Sequence, residues 1–136
     1  MIISYLGIDY GLARIGVAIS ESGIMARPHS VIQNKGDKKN IAAIHKILCG
    51  VYDVQYYIVF GVPLGANGNE TEMSTEIRRF GELVKNQLGV EVVFHNERYS
   101  SLEASEYIKS VKSKESIDAV AAAVILQRYL DSRRNI

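Results

Sequence analysis

Only one cysteine, two prolines and no tryptophan occur in these 136 residues, and opposite charges nearly cancel to a net +1. Each scarcity removes a class of protein. A lone Cys49 excludes an internal disulfide framework and a cysteine-rich zinc site, and on its apolar helix it reads as a small buried hydrophobe. No apolar run is long enough to cross a bilayer. The first residues, Met1 to Asp9, lack the basic lead of a signal peptide and read as a strand. A reducing, cytoplasmic setting away from membranes is the expectation. The balanced charge advertises no polyanionic partner over the whole surface, so a nucleic-acid role must rest on local groups such as Lys38-Lys39, Arg78-Arg79 and Arg133-Arg134. His29, His45 and His95 show no His-x-x-x-His spacing, which leaves a zinc hydrolase without support.

What is present is an ordinary globular composition, 47% hydrophobic and 23% charged. The length suits one domain over residues 1–136, able to bury roughly two thirds of its unfolded surface. Two β-branched runs, 2–9 and 14–21, flank a short turn containing Gly11 and form a hairpin pattern. A third run, 26–33, carries Pro28 and belongs at a sheet edge. Asp37 is placed to cap a helix with Ile41, Ile44 and Leu48 on one side, and a short strand follows over 55–60. Residues 61–68 read as a flexible glycine-rich loop. The apolar positions Ile77, Phe80, Val84 and Leu88 predict a helix over 71–88, stopped by Gly89. A strand over 90–94, a helix from Ser100 or Ser101 to about Lys109, and a last helix from Ser113 or Ser116 to about Ser132 complete the chain. Because a helix between two strands makes them parallel, the expected fold is α/β. Its five-stranded mixed sheet has three antiparallel strands, then two parallel ones, flanked by helices.

Three acids stand out against this frame. Asp9 ends the first strand beside a turn, and burying an unpaired carboxylate there is costly without a metal, a donor or a cation. Glu97 lies just past the strand at 90–94, and parallel sheets place their sites beyond the carboxyl ends of strands. Asp118 sits near the start of the last helix, which is apolar around nearly its whole circumference. Alone, Asp118 reads as an acid favoured by the helix dipole by about 0.3 to 1 kcal/mol. Together the three form a set of hard oxygen ligands suited to Mg²⁺ or Mn²⁺, provided they meet in space. A pair of such ions activates water and stabilises the leaving oxygen in phosphodiester cleavage.

These residues resemble a known family. Asp9-Tyr10-Gly11 with Arg14-Ile15-Gly16-Val17-Ala18, then Gly61-Val62-Pro63-Leu64 with Gly68, then Glu97-Arg98, then Ile117-Asp118-Ala119-Val120-Ala121-Ala122 look like the YqgF family, in order and over nearly the whole chain. That family is described as Holliday junction resolvases and as nucleases maturing the precursor of small-subunit ribosomal RNA. The resemblance implies a ribonuclease H-like fold, and Asp9, Glu97 and Asp118 as metal-binding, catalytic acids. It implies a nucleic-acid partner, structured or precursor RNA with branched DNA as the rival. Two departures stand out: Asn96 replaces an acid the family usually has, which is expected to lower metal affinity, and no glycine precedes Ile117-Asp118.

Around the acids, Arg14 and Arg98 are placed either to bind phosphate or to balance carboxylates. Ser100 and Ser101 are substrate contacts or helix caps, and Asn67 is a neutral hydrogen-bond partner in the 61–68 loop, the expected substrate clamp. Gly16, inside a strand, marks a close approach of backbone or ligand. Two rivals to the nuclease stay open. An Asp-x-Gly after a first strand also occurs in actin and sugar-kinase phosphotransferases, although those use two such domains and this chain has room for one. A binding module with little catalysis is the other. Between monomer and homodimer the sequence does not choose.

Overall fold

The structure, a computed structural model, describes residues 2–49, 54–97 and 114–134. The strands are β1 (Ile2–Tyr10), β2 (Arg14–Ser20), β3 (Arg27–Gln33), β4 (Val54–Pro63) and β5 (Glu91–Glu97). The helices are α1 (Asp37–Leu48), α2 (Glu72–Leu88) and α3 (Lys114–Arg134). The sheet order is β3-β2-β1-β4-β5, antiparallel from β3 to β1 and parallel from β1 to β5. This is the expected mixed sheet. Pro28 lies on the edge strand β3, where the register slips opposite Val17 and Ala18 and His29 becomes the extra residue of a bulge.

Alternation along the strands sends residues to two unlike faces. Leu6, Ile8, Ile15, Val17, Ile58 and Phe60 pack under Ile41 and Ile44 of α1 and Ile77, Phe80 and Val84 of α2. Thr71 caps α2 by accepting from Ser74 N, and Gly89, at φ 65°, closes it in the left-handed conformation. The other face is covered by α3, where Ala122, Leu126 and Leu130 rest on Tyr5, Ala18 and Val59. From Ile117 to Leu130 no residue of α3 is exposed, as its apolar circumference requires.

Four sequence expectations change. β4 runs on through Gly61, Val62 and Pro63, which pair with His95, Asn96 and Glu97, so the loop after it starts at Leu64. Glu97 is accordingly the last residue of β5, not a residue beyond it. Asp37 does not cap α1: Gly36 holds that position, and the Asp37 carboxylate accepts from Arg79 of α2 at 2.8 and 3.0 Å. Cys49 is exposed, at the end of α1 where the helix has cleared the core, with its Sγ 3.1 Å from His45 Nε2. The helix expected near 100–109, with Arg98, Ser100 and Ser101, lies outside the described residues.

Candidate active site

Asp9 is the next-to-last residue of β1, paired in register with Gly16 of β2. A Cβ at Gly16 would stand 2.0 Å from the backbone oxygen of Asp118. The close approach expected at Gly16 is therefore that of α3 itself, and it seats Asp118 beside Asp9. Gly7 and Gly61 continue the track: a Cβ there would fall 2.7 Å from Leu126 Cβ and from Ile125 Cδ1 respectively. Three glycines on β2, β1 and β4 thus let one helix lie directly on the strands.

Glu97 reaches the same face from the other side of β4. Ile8 pairs with Phe60, and Pro63 with Glu97, so Asp9 and Glu97 stand two strands apart and two residues out of step, about 12 Å between backbones. Glu97 is 6% exposed, and Arg128 of α3 donates to its Oε2 at 2.5 Å. Its other oxygen, Oε1, is buried without a hydrogen bond. His95 Nε2 is 3.6 Å away, too far for one. Asp118 accepts from Arg14 Nε at 2.6 Å. Arg14 thus balances a carboxylate here, the second of the two roles open to it.

Among the described residues no arginine or lysine pairs with Asp9. Burial first, and then the charges of Asp118 and Glu97, together raise its carboxyl from 3.8 to about 6. The three acids thus lie within electrostatic reach of one another. Two of them carry an arginine, and among the described residues Asp9 carries none.

The donor set fits a hard divalent ion in its chemistry: three carboxylates, one with a buried oxygen that no hydrogen bond reaches among the described residues, and one raised to about 6 by burial and by its two acidic neighbours. In the arrangement seen, no three His, Cys, Asp or Glu side chains among the described residues stand close enough together to hold an ion. Asp118 and Glu97 are instead paired with Arg14 and Arg128.

Other predicted residues fall away from the acids. Asn96 points to the opposite face, where Arg78 donates to its Oδ1 at 3.3 Å while lying over the Phe94 ring and bonding Glu70. Asn96 therefore stands apart from the three acids. Asn67 is exposed in the loop between β4 and α2, which closes on itself through Gly65 N to Asn69 O at 2.8 Å and Gly68 N to Gly65 O at 2.9 Å. Among the described residues it bonds none of the acids. Sequence reasoning missed Arg128, whose only signal was physical: a buried Glu97 requires a counter-charge.

Comparison with known proteins identifies the family and the fold. The family model RuvX, described as Holliday junction resolvase, matches residues 3–132. A relative from Endomicrobium trichonymphae named "Putative pre-16S rRNA nuclease" is 40% identical, covering 93% of this chain and 94% of its own. One of the same name from Syntrophomonas wolfei subsp. wolfei is 37% identical, covering 93% and 92%. The solved structure of T. thermophilus RuvC in complex with Holliday junction substrate superposes with a TM-score of 0.58 at 12% identity, over 98% of this chain and 96% of that one. That likeness concerns the fold, which is ribonuclease H-like.

Proposed function

The chain belongs to the RuvX family, and from that premise we propose that it is a nuclease hydrolysing phosphodiester bonds in the small-subunit ribosomal RNA precursor, with Asp9, Glu97 and Asp118 as its metal-binding acids. Its curated relatives carry the name of that activity. The observation that carries the reading is the gathering of these acids on the α3 face, where Asp118 and Glu97 each pair with an arginine and Asp9, among the described residues, does not.

Mg²⁺ or Mn²⁺, when bound, supplies water activation and neutralises the leaving oxygen. The protein's own part is positional. β1 fixes Asp9 in the sheet, Gly16 admits Asp118 beside it, and β5 brings Glu97 to the same face. Among the described residues Arg14, 40% exposed in its side chain and paired with Asp118, is a cation that could receive a substrate phosphate. Branched DNA is the rival substrate, from the description of the family.

The test is incubation with Mn²⁺ of precursor ribosomal RNA and, separately, a four-way DNA junction, using the wild type and Asp9→Asn. Cleavage of the RNA that falls about a hundredfold or more in the variant is expected, the loss typical of removing a group that acts on developing charge. Equal cleavage by the variant sinks the assignment of the acids. Junction cleavage without RNA cleavage moves the substrate to DNA. The arginine pairs favour one further reading, a binding module with little catalysis. Tight nucleic-acid binding without metal, unchanged by Asp118→Asn and with no cleavage, would select it.

A further inference from the structure

The turn between β1 and β2 holds a leucine out to solvent at the site. Leu12 is 72% exposed and lies between Asp9 and Arg14 in the chain. Isolated exposed leucines are common; what sets this one apart is its backbone. Asn34 Nδ2 donates to the Gly11 carbonyl at 2.8 Å, and the Asn34 backbone N–H donates to the Ala13 carbonyl at 3.0 Å. One residue therefore ties down the carbonyls on both sides of Leu12. Asn34 is itself fixed, because its Oδ1 accepts from Nδ2 of Asn40, which is 0% exposed, at 2.8 Å. A Cβ at Gly11 would lie 2.5 Å from the Arg14 carbonyl oxygen, so the turn is closed as tightly as glycine permits.

Position adds a second argument. The other exposed large apolar residues among those described are Ile2 and Ile3, at the start of β1, and Ile24 and Met25, between β2 and β3. All four belong to the opposite end of the sheet. Among the described residues Leu12 is alone at the acid end, on a backbone already ordered, so burying it against a ligand costs little further backbone entropy.

We propose that Leu12 packs as an apolar wedge against the face of a nucleobase flanking the phosphodiester held at Asp9. This rests on the nuclease reading above and adds a preference to it. Wedges of this kind act where a base step is easily opened. The favoured substrate thus carries an unpaired or weakly stacked base beside the scissile bond, in RNA or in DNA, and not a uniform duplex.

The test measures binding with Ca²⁺ in place of Mg²⁺ over a series of salt concentrations. The probes are a bulged RNA hairpin, a four-way DNA junction and an oligonucleotide made of abasic sites, and the proteins are wild type, Leu12→Ser and Leu12→Phe. Expected is a roughly tenfold loss for Leu12→Ser on the base-bearing probes, recovery in Leu12→Phe, and no difference on the abasic strand. The salt slope stays as in wild type, because no phosphate contact is lost. Whichever of the RNA and DNA arms shows the loss identifies the source of the base. Wild-type binding matched by Leu12→Ser overturns the wedge and leaves the nuclease standing, as does a changed salt slope. Failure of the wild type to bind either base-bearing probe overturns both.

Discussion

On the face covered by α1 and α2, Phe60, Phe80 and Phe94 interlock among large aliphatic residues, whereas under α3 glycines and alanines bring a helix down onto the strands. The first face has no charge in its core. The second holds Glu97 at 6% exposure and draws Asp9 and Asp118 to the same edge. Bulky filler separates elements and excludes water, which suits stability. Glycine contact brings backbones together and leaves room for side chains to meet beyond the last glycine, which suits a site. On the proposed reading, the same sheet gives folding to one side and chemistry to the other.

The sharpest way to break this division is Phe80→Ala. Phe80 is fully buried, 5.0 Å from the Tyr10 ring and edge-on to Phe60 at 6.0 Å. Truncation is expected to cost about 3 to 5 kcal/mol in urea unfolding. Cleavage per folded molecule, measured at low temperature, is expected to stay near wild type. A loss of cleavage as deep as that of Asp9→Asn would show that the two faces are not independent.

Next in size is the pH dependence that Asp9 imposes on stability. Its carboxyl, raised from 3.8 to about 6, keeps its proton in the folded state over a range where the unfolded chain has released it. Folding takes up a proton there, so stability is full below about pH 3.8 and is lost as pH rises through about 6. The ionised form above that range costs about 3 kcal/mol. In metal-free buffer Asp9→Asn is therefore expected to be more stable than wild type at pH 7.5 and equal to it near pH 3.5. Added Mg²⁺ stabilises the wild type alone and narrows the gap. A difference that is the same at both pH values would remove Asp9 from the shared electrostatic site.

The first face was the more legible in the sequence, and for a physical reason. Helical spacing of Ile77, Phe80 and Val84 and the alternation in β1 and β2 are repeated signals, each residue confirming the next. The acids were legible singly, as costly residues at element ends. Their partners were not: Arg128 meets Glu97 only through tertiary packing, and alternation along β5 turns Asn96 away from its neighbour Glu97. Gly61 and Pro63 read as loop because glycine and proline usually break strands. Here Gly61 makes room for Ile125, and Pro63 stands at the strand's final pair.

Gly16→Ala sharpens the comparison from the other face with the smallest cost in stability. Since the new methyl would meet the Asp118 backbone oxygen at 2.0 Å, relief requires the helix or the strand to move, and a flexible side chain cannot supply it. Overpacking of this kind costs about 1 to 3 kcal/mol. The shift is expected to act on the site more than on the fold, because the atom displaced belongs to Asp118, and a misplacement of about 1 Å is enough to cost about a hundredfold in rate. The same methyl at Gly89, where nothing lies within 4 Å, meets only the φ of 65° and should lower stability without touching cleavage. If the two variants lose cleavage in proportion to their loss of stability, the glycine contact under α3 is packing alone. If Gly16→Ala loses cleavage far beyond its loss of stability, that contact is what sets Asp118 against Asp9.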